Sequence, residues 1–142
     1  MDGELSALDI SASALVAQRI RLNVVTENLA NAETTRGPDG GPYRRKIAVF
    51  GAEPVGTFGQ ALAAAAVSTV KVLDIQESED APRAIYQPAH PDANPDGYVM
   101  MPNINSVLEM ADLLAATRAY EANVTAIQAA KSMATKALEI GR

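Results

Sequence analysis

The chain has 142 residues and a mass of 14.9 kDa, with 12 Lys and Arg against 17 Asp and Glu, a net charge of −5 and a pI near 4.8. That balance argues against a general nucleic-acid binder, which carries a basic face. The absence of cysteine excludes disulfide scaffolds, thiol catalysis and cysteine-ligated zinc, and the single histidine, His90, excludes a histidine metal cluster. No run approaches the ~18 unbroken apolar residues of a membrane span. Met1-Asp2-Gly3-Glu4 is acidic where a secretory signal is basic, so a soluble chain is expected, cytoplasmic or exported without a cleaved signal. The apolar fraction is 48%, but 27 residues are alanine and tryptophan is absent. Alanine buries little area, and burial stabilises by only about 25 cal/mol per Å². Long helices are therefore favoured over a large private core.

The first segment, 1–36, lacks proline and reads as a helix over about 5–32. Leu8, Leu15, Leu22 and Leu29 recur every seven residues, the spacing of a packing seam. The positions between them are Ala12, Arg19 and Thr26, so the seam is half built and calls for neighbours on more than one side.

The middle segment, 37–102, holds all eight prolines and seven of the nine glycines. Tyr43 to Phe50, Val67 to Ile75, Arg83 to Tyr86 and Tyr98 to Met101 have strand composition. Gly51 to Gly59 reads as loop, Glu77 to Asp80 as a solvated acidic turn, and Ala61 to Ala66 as either a helical turn or a bridge. Asp92-Ala93-Asn94-Pro95-Asp96-Gly97 copies the opening of an EF-hand loop, but its twelfth position is Asn103 instead of a bidentate Glu. Turn formation is the simpler reading of those residue types. Arg44-Arg45-Lys46 fits the polar part of a strand or an interface pairing with acidic groups. Asn123-Val124-Thr125 is an incidental sequon on a helix.

The last segment, 103–142, predicts a helix over 106–140. Ser106-Val107-Leu108-Glu109 fits a capping box. Met110, Leu113, Thr117, Tyr120, Val124, Ile127, Lys131, Ala134 and Leu138 alternate at three and four residues, and Gly141 is a plausible stop. No nucleophile elbow, phosphate loop or HExxH is present, so no catalytic, cofactor-binding or metal residue is assigned. The expected fold is mainly α with a small β-rich insert. The long N- and C-terminal helices pair as an antiparallel coiled-coil-like hairpin flanking an irregular β middle domain, with stability borrowed from partner helices.

Asn28-Leu29-Ala30-Asn31-Ala32 after an Ala/Leu-rich helix resembles the N-terminal motif of bacterial flagellar rod and hook proteins. Thr35 to Arg45 resembles, more narrowly, the proximal-rod members of that family. His90 to Asn94, Gly97-Tyr98-Val99, Met101 to Asn105, Ala116 to Asn123 and Ala130 to Met133 agree with it in order. The match is least over about 51–85 and departs mildly at Ala137.

The resemblance implies a non-enzymatic structural subunit of the basal-body rod, without cofactor. It would be exported by the flagellar type III apparatus, sit in the periplasm, and assemble helically with copies of itself and other rod proteins. The terminal helices would line the export channel and the middle domain would lie outside. On that reading Leu8, Leu15, Leu22, Leu29, Leu113, Tyr120, Asn123, Val124, Ile127 and Leu138 form assembly seams, and Asn28 and Asn31 belong to the helix-ending turn. The competing readings are a calcium-binding or adaptor domain using the 92–103 loop and a secreted helical effector.

Overall fold

The proline-free ends form the two longest elements. The computed structural model describes residues 2–54 and 68–140, with side chains from Leu8 onward. Helix α1 spans Asp2–Ala30 and helix α2 spans Ser106–Ile140, about 43 and 52 Å long at 1.5 Å per residue. Between them lie β1 (Lys46–Pro54), β2 (Ser68–Glu77), β3 (Arg83–Tyr86) and β4 (Tyr98–Met101). The two helices pack against each other, and α1 also supports β1 and β2.

Helix α1 stops before the expected residue 32. Asn31 N still donates to Glu27 O, but Ala32 N donates to Leu29 O, tightening the last turn. Helix α2 has the expected span and a different cap. Asn105 Oδ1 accepts from Val107 N at 3.0 Å and Leu108 N at 3.3 Å, the N-cap arrangement. The expected Ser106–Glu109 capping box is therefore corrected: the Glu109 carboxylate turns inward to Arg45 instead of reaching back to the cap.

The strands form two separate antiparallel pairs, β1–β2 and β3–β4. In the first, Lys46 lies opposite Glu77 and Pro54 opposite Ser68, with a bulge between Val49 and Phe50. The expected loop from Gly51 is thus corrected over Gly51–Pro54, which β2 pairs; Pro54 stands at the strand end, where a missing N–H is tolerated. At Gly51 the exposed Leu73 side chain lies over the strand, with Cδ1 2.8 Å from where a Cβ would stand. The rest of that loop and the Ala61 to Ala66 run lie outside the described residues. Strand β1 begins at Lys46 instead of Tyr43, because Tyr43 N is engaged by Thr34 O. Strands β3 and β4 have the spans read from sequence, and Tyr86 and Tyr98 meet edge to face at 5.3 Å. Arg83 donates to Pro102 O and Ile104 O, tying this hairpin to the start of α2.

The core is small. Among the described residues the buried apolar side chains are Ala17, Val24, Val25, Ala32, Val99, Pro102, Ile104 and Ala116. Leu8, Leu15, Leu22 and Leu29 are only half-buried. The buried stripe of α1 lies roughly a third of a turn round from the leucine row at 3.6 residues per turn.

Candidate assembly interface

The last turns of α1, the chain entering β1 and the first turn of α2 converge on two buried polar side chains. Asn28 and Glu109 are each 1% exposed. Asn28 uses all four of its hydrogen-bonding positions. Its Nδ2 donates to Lys46 O at 2.8 Å and Glu109 Oε2 at 3.2 Å, and its Oδ1 accepts from Lys46 N at 2.8 Å and Tyr43 Oη at 3.0 Å. The amide therefore holds the β1 edge as a neighbouring strand would. Arg45 Nε donates to Glu109 Oε1 at 2.6 Å, so each carboxylate oxygen has a partner. A buried carboxylate is tolerable only when paired in this way.

Around this centre the charges are matched. Lys46 Nζ pairs with Glu27 Oε1 at 2.5 Å and Arg21 with Asp112 at 3.2 Å. The Arg44-Arg45-Lys46 run thus sends two of its cations to acids of the same chain, leaving Arg44 exposed. Burial, then the nearby Glu27, Glu77 and Glu109 carboxylates, push the Tyr43 phenol up to about 12.

The two asparagines of the helix-ending motif do different work. Asn31 Nδ2 donates to Glu27 O at 2.9 Å and its Oδ1 accepts from Thr34 Oγ1 at 3.1 Å, closing the helix end. Asn28 joins three elements. Leu113, Tyr120, Val124 and Ile127 are half-buried along α2, as is Asn123, whose Nδ2 donates back to Ala119 O. Leu138 is exposed. The deepest positions on α2 are Glu109 and Ala116, and the half-buried Asn123 and Ala130 continue their seven-residue row. The expected seam shares Asn123 with this row and otherwise drew on larger residues nearby. The Glu-Ala-Asn-Ala heptad was visible in the sequence but carries little hydrophobic weight.

Much of α2 remains uncovered. Val107, Leu108, Met110, Leu114, Met133, Leu138 and Ile140 are between 52% and 87% exposed. Single exposed apolar residues are ordinary; it is contiguous apolar patches that mark contact surfaces.

The 92–97 loop is organised by protein donors. Asp92 accepts from Arg36 at 2.6 Å and from Thr35 Oγ1 at 2.8 Å, while Asn94 Oδ1 accepts from Asp96 N and Tyr98 N. His90 Nδ1 accepts from Asp92 N at 3.1 Å, so the lone histidine braces the same turn. The Asp92 carboxylate and the Asn94 amide oxygen are turned to those donors, and among the described residues no three His, Cys, Asp or Glu gather as a metal site. The calcium-loop alternative is without support.

Residues 8–38 match the family model of the flagella basal body rod protein, and residues 96–140 match the flagellar basal body rod FlgEFG protein C-terminal model. These segments carry Asn28, Asn31 and Glu109. The chain is 44% identical over 138 residues to the flagellar basal-body rod protein FlgC of Escherichia coli O6:H1, covering 97% of this chain and 98% of that one. It is 44% identical over 146 residues to FlgC of Bacillus subtilis, with 96% and 97% covered. To FlgC of Borreliella burgdorferi it is 38% identical over 148 residues, with 97% of each covered. With identity of this order along almost the whole length, the chain belongs to the FlgC family of flagellar basal-body rod proteins.

Proposed function

We propose that this structural rod subunit builds the proximal rod by committing both terminal helices to helix–helix packing with copies of itself and with other rod proteins. In this reading segments 1–36 and 103–142 are the rod-forming parts, pairing as an antiparallel coiled-coil-like hairpin, and 37–102 forms the outer domain. The helices line the export channel, and the rod carries torque outward as a drive shaft. The subunit reaches the periplasm through the flagellar type III export apparatus without a cleaved signal. The paired Asn28–Glu109 and Arg21–Asp112 contacts support opposite helix directions, since moving back along α1 advances along α2.

The observation that carries this reading is the uncovered apolar surface of α2 from Val107 to Ile140. A single chain gains nothing from seven large apolar side chains in water, whereas helical neighbours would bury them. Leu8, Leu15, Leu22 and Leu29 supply the corresponding half-covered row on α1.

Leu138 is the cleanest position to test, being 68% exposed in the free subunit. Leu138→Asp should leave synthesis, export and the circular dichroism of the purified chain unchanged while abolishing swimming in cells lacking the native subunit. Leu138→Met should swim. Normal swimming with Leu138→Asp would refute the α2 assembly surface. Ile127→Asp should also block assembly, but Ile127 is half-buried, so that change combines folding with assembly.

A further inference from the structure

We propose that the buried Glu109–Asn28–Arg45 cluster sets the axial register of α2 on α1, and with it which residues each helix offers to neighbouring subunits. The proposal rests on the assembly reading above. Away from this cluster the packing mixes larger side chains, Val24 and Val25 on α1 and Leu113, Tyr120, Val124 and Ile127 on α2, with a row of small ones. Ala17 on α1 and Ala116 on α2 are buried, and Ala119, Ala130 and Ala134 continue half-buried along α2. Along the alanine row a slide of one helical turn, about 5.4 Å, replaces one small side chain by another, and apolar burial by itself has no direction.

The polar cluster responds differently to the same slide. Moving α2 by four residues in either direction places Leu113 or Asn105 opposite the Asn28 amide and removes Glu109 from both of its donors. A buried charge deprived of its partner costs several kcal/mol, so the cluster rejects an arrangement the alanines would accept. The pair Arg21–Asp112 favours the same register more weakly, since both side chains are more than a third exposed. Asn28 also grips Lys46 N and O, so the start of β1 is locked to the same point. A single buried polar position fixes register in coiled coils at some cost in stability. Glu109 and Asn28 are positioning residues in that sense.

The chain has no cysteine, so spin labels can be placed freely. Asn23→Cys and Arg118→Cys, both at exposed positions, put one label on each helix of the purified full chain. Electron–electron double resonance should give one narrow distance in this parent and in Glu109→Gln, which keeps the shape and, through its amide oxygen, the acceptor for Arg45 while losing the bond from Asn28. Glu109→Leu strands the Arg45 guanidinium and one Asn28 N–H, so it should fold with a lowered melting temperature. Its distance distribution should split or move by up to one turn, about 5.4 Å. In unlabelled form it should lose swimming where Glu109→Gln retains it. One narrow, unshifted distance in Glu109→Leu would overturn the proposal. So would failure of both Glu109→Leu and Glu109→Met to fold, because no second register would then be accessible to the helices. If the distances behave as expected but the unaltered chain cannot restore swimming, the rod reading fails and the register assignment stands.

Discussion

Truncating Asn28 to alanine should be among the most damaging single changes in the molecule. It deprives Lys46 N–H, Lys46 C=O, the Tyr43 hydroxyl and Glu109 Oε2 of one partner each. A buried group left unpaired costs about 1–3 kcal/mol, with charged groups at the upper end. Glu109 is fully enclosed and bears the full penalty, while Lys46 and Tyr43 are half-buried and water can replace part of their loss. The sum is roughly 3–5 kcal/mol, a large share of the ~5–15 kcal/mol that holds a typical domain together. At about 2–4 °C per kcal/mol for a chain near this size, the melting temperature should fall by roughly 10 °C. Urea and thermal unfolding followed by circular dichroism measure this directly. Asn28→Asp should also destabilise, because it sets a second carboxylate against Glu109 and cannot donate to Lys46 O. A loss below about 1 kcal/mol for Asn28→Ala would mean that water satisfies the site, and the reasoning would fail.

Gly97 has φ +81°, and a Cβ there would come within 2.8 Å of Tyr86 Cε2, so Gly97→Ala should destabilise by about 1–3 kcal/mol; near-UV circular dichroism of the tyrosines should report the loosened β3–β4 pair. The Tyr43 phenol is raised from 10.0 to about 12 by burial first and then by Glu27, Glu77 and Glu109, so its stabilising contribution is intact below about pH 10 and lost as the pH rises towards 12. Urea midpoints across that range should fall more steeply for the unaltered chain than for Tyr43→Phe, and parallel curves would refute the assignment. In hydrogen exchange on the free subunit, Val24 to Asn28 and Glu109 to Ala116 should be the slow amides of the two helices, with α2 beyond Ala122 exchanging quickly; uniform protection along α2 would show that its far half needs no neighbour.

Local chemistry was enough for several features. Alanine abundance without proline determined two long terminal helices, and the confinement of all eight prolines to 38–102 bounded the segment between them. Arg83 to Tyr86 and Tyr98 to Met101 declared themselves as strands because short β-rich runs stood between turn formers. The ordered motifs from Asn28 to Met133 were sufficient for the family, since they depend on residue identity and not on contacts.

Tertiary structure decided what depends on residues far apart in the chain. Glu109 had good local reasons to cap α2; only the arrival of Arg45 and Asn28, from 64 and 81 residues away, draws its carboxylate inward. Gly51 to Pro54 looked like loop because Gly and Pro disfavour strands locally, yet pairing with β2 overrides that preference. The leucine heptad of α1 was the strongest apolar signal, but the buried stripe runs through Ala17, Val24, Val25 and Asn28. Periodicity reveals that a helix has faces; only the shape and polarity of what lies opposite decide which face is buried within the subunit.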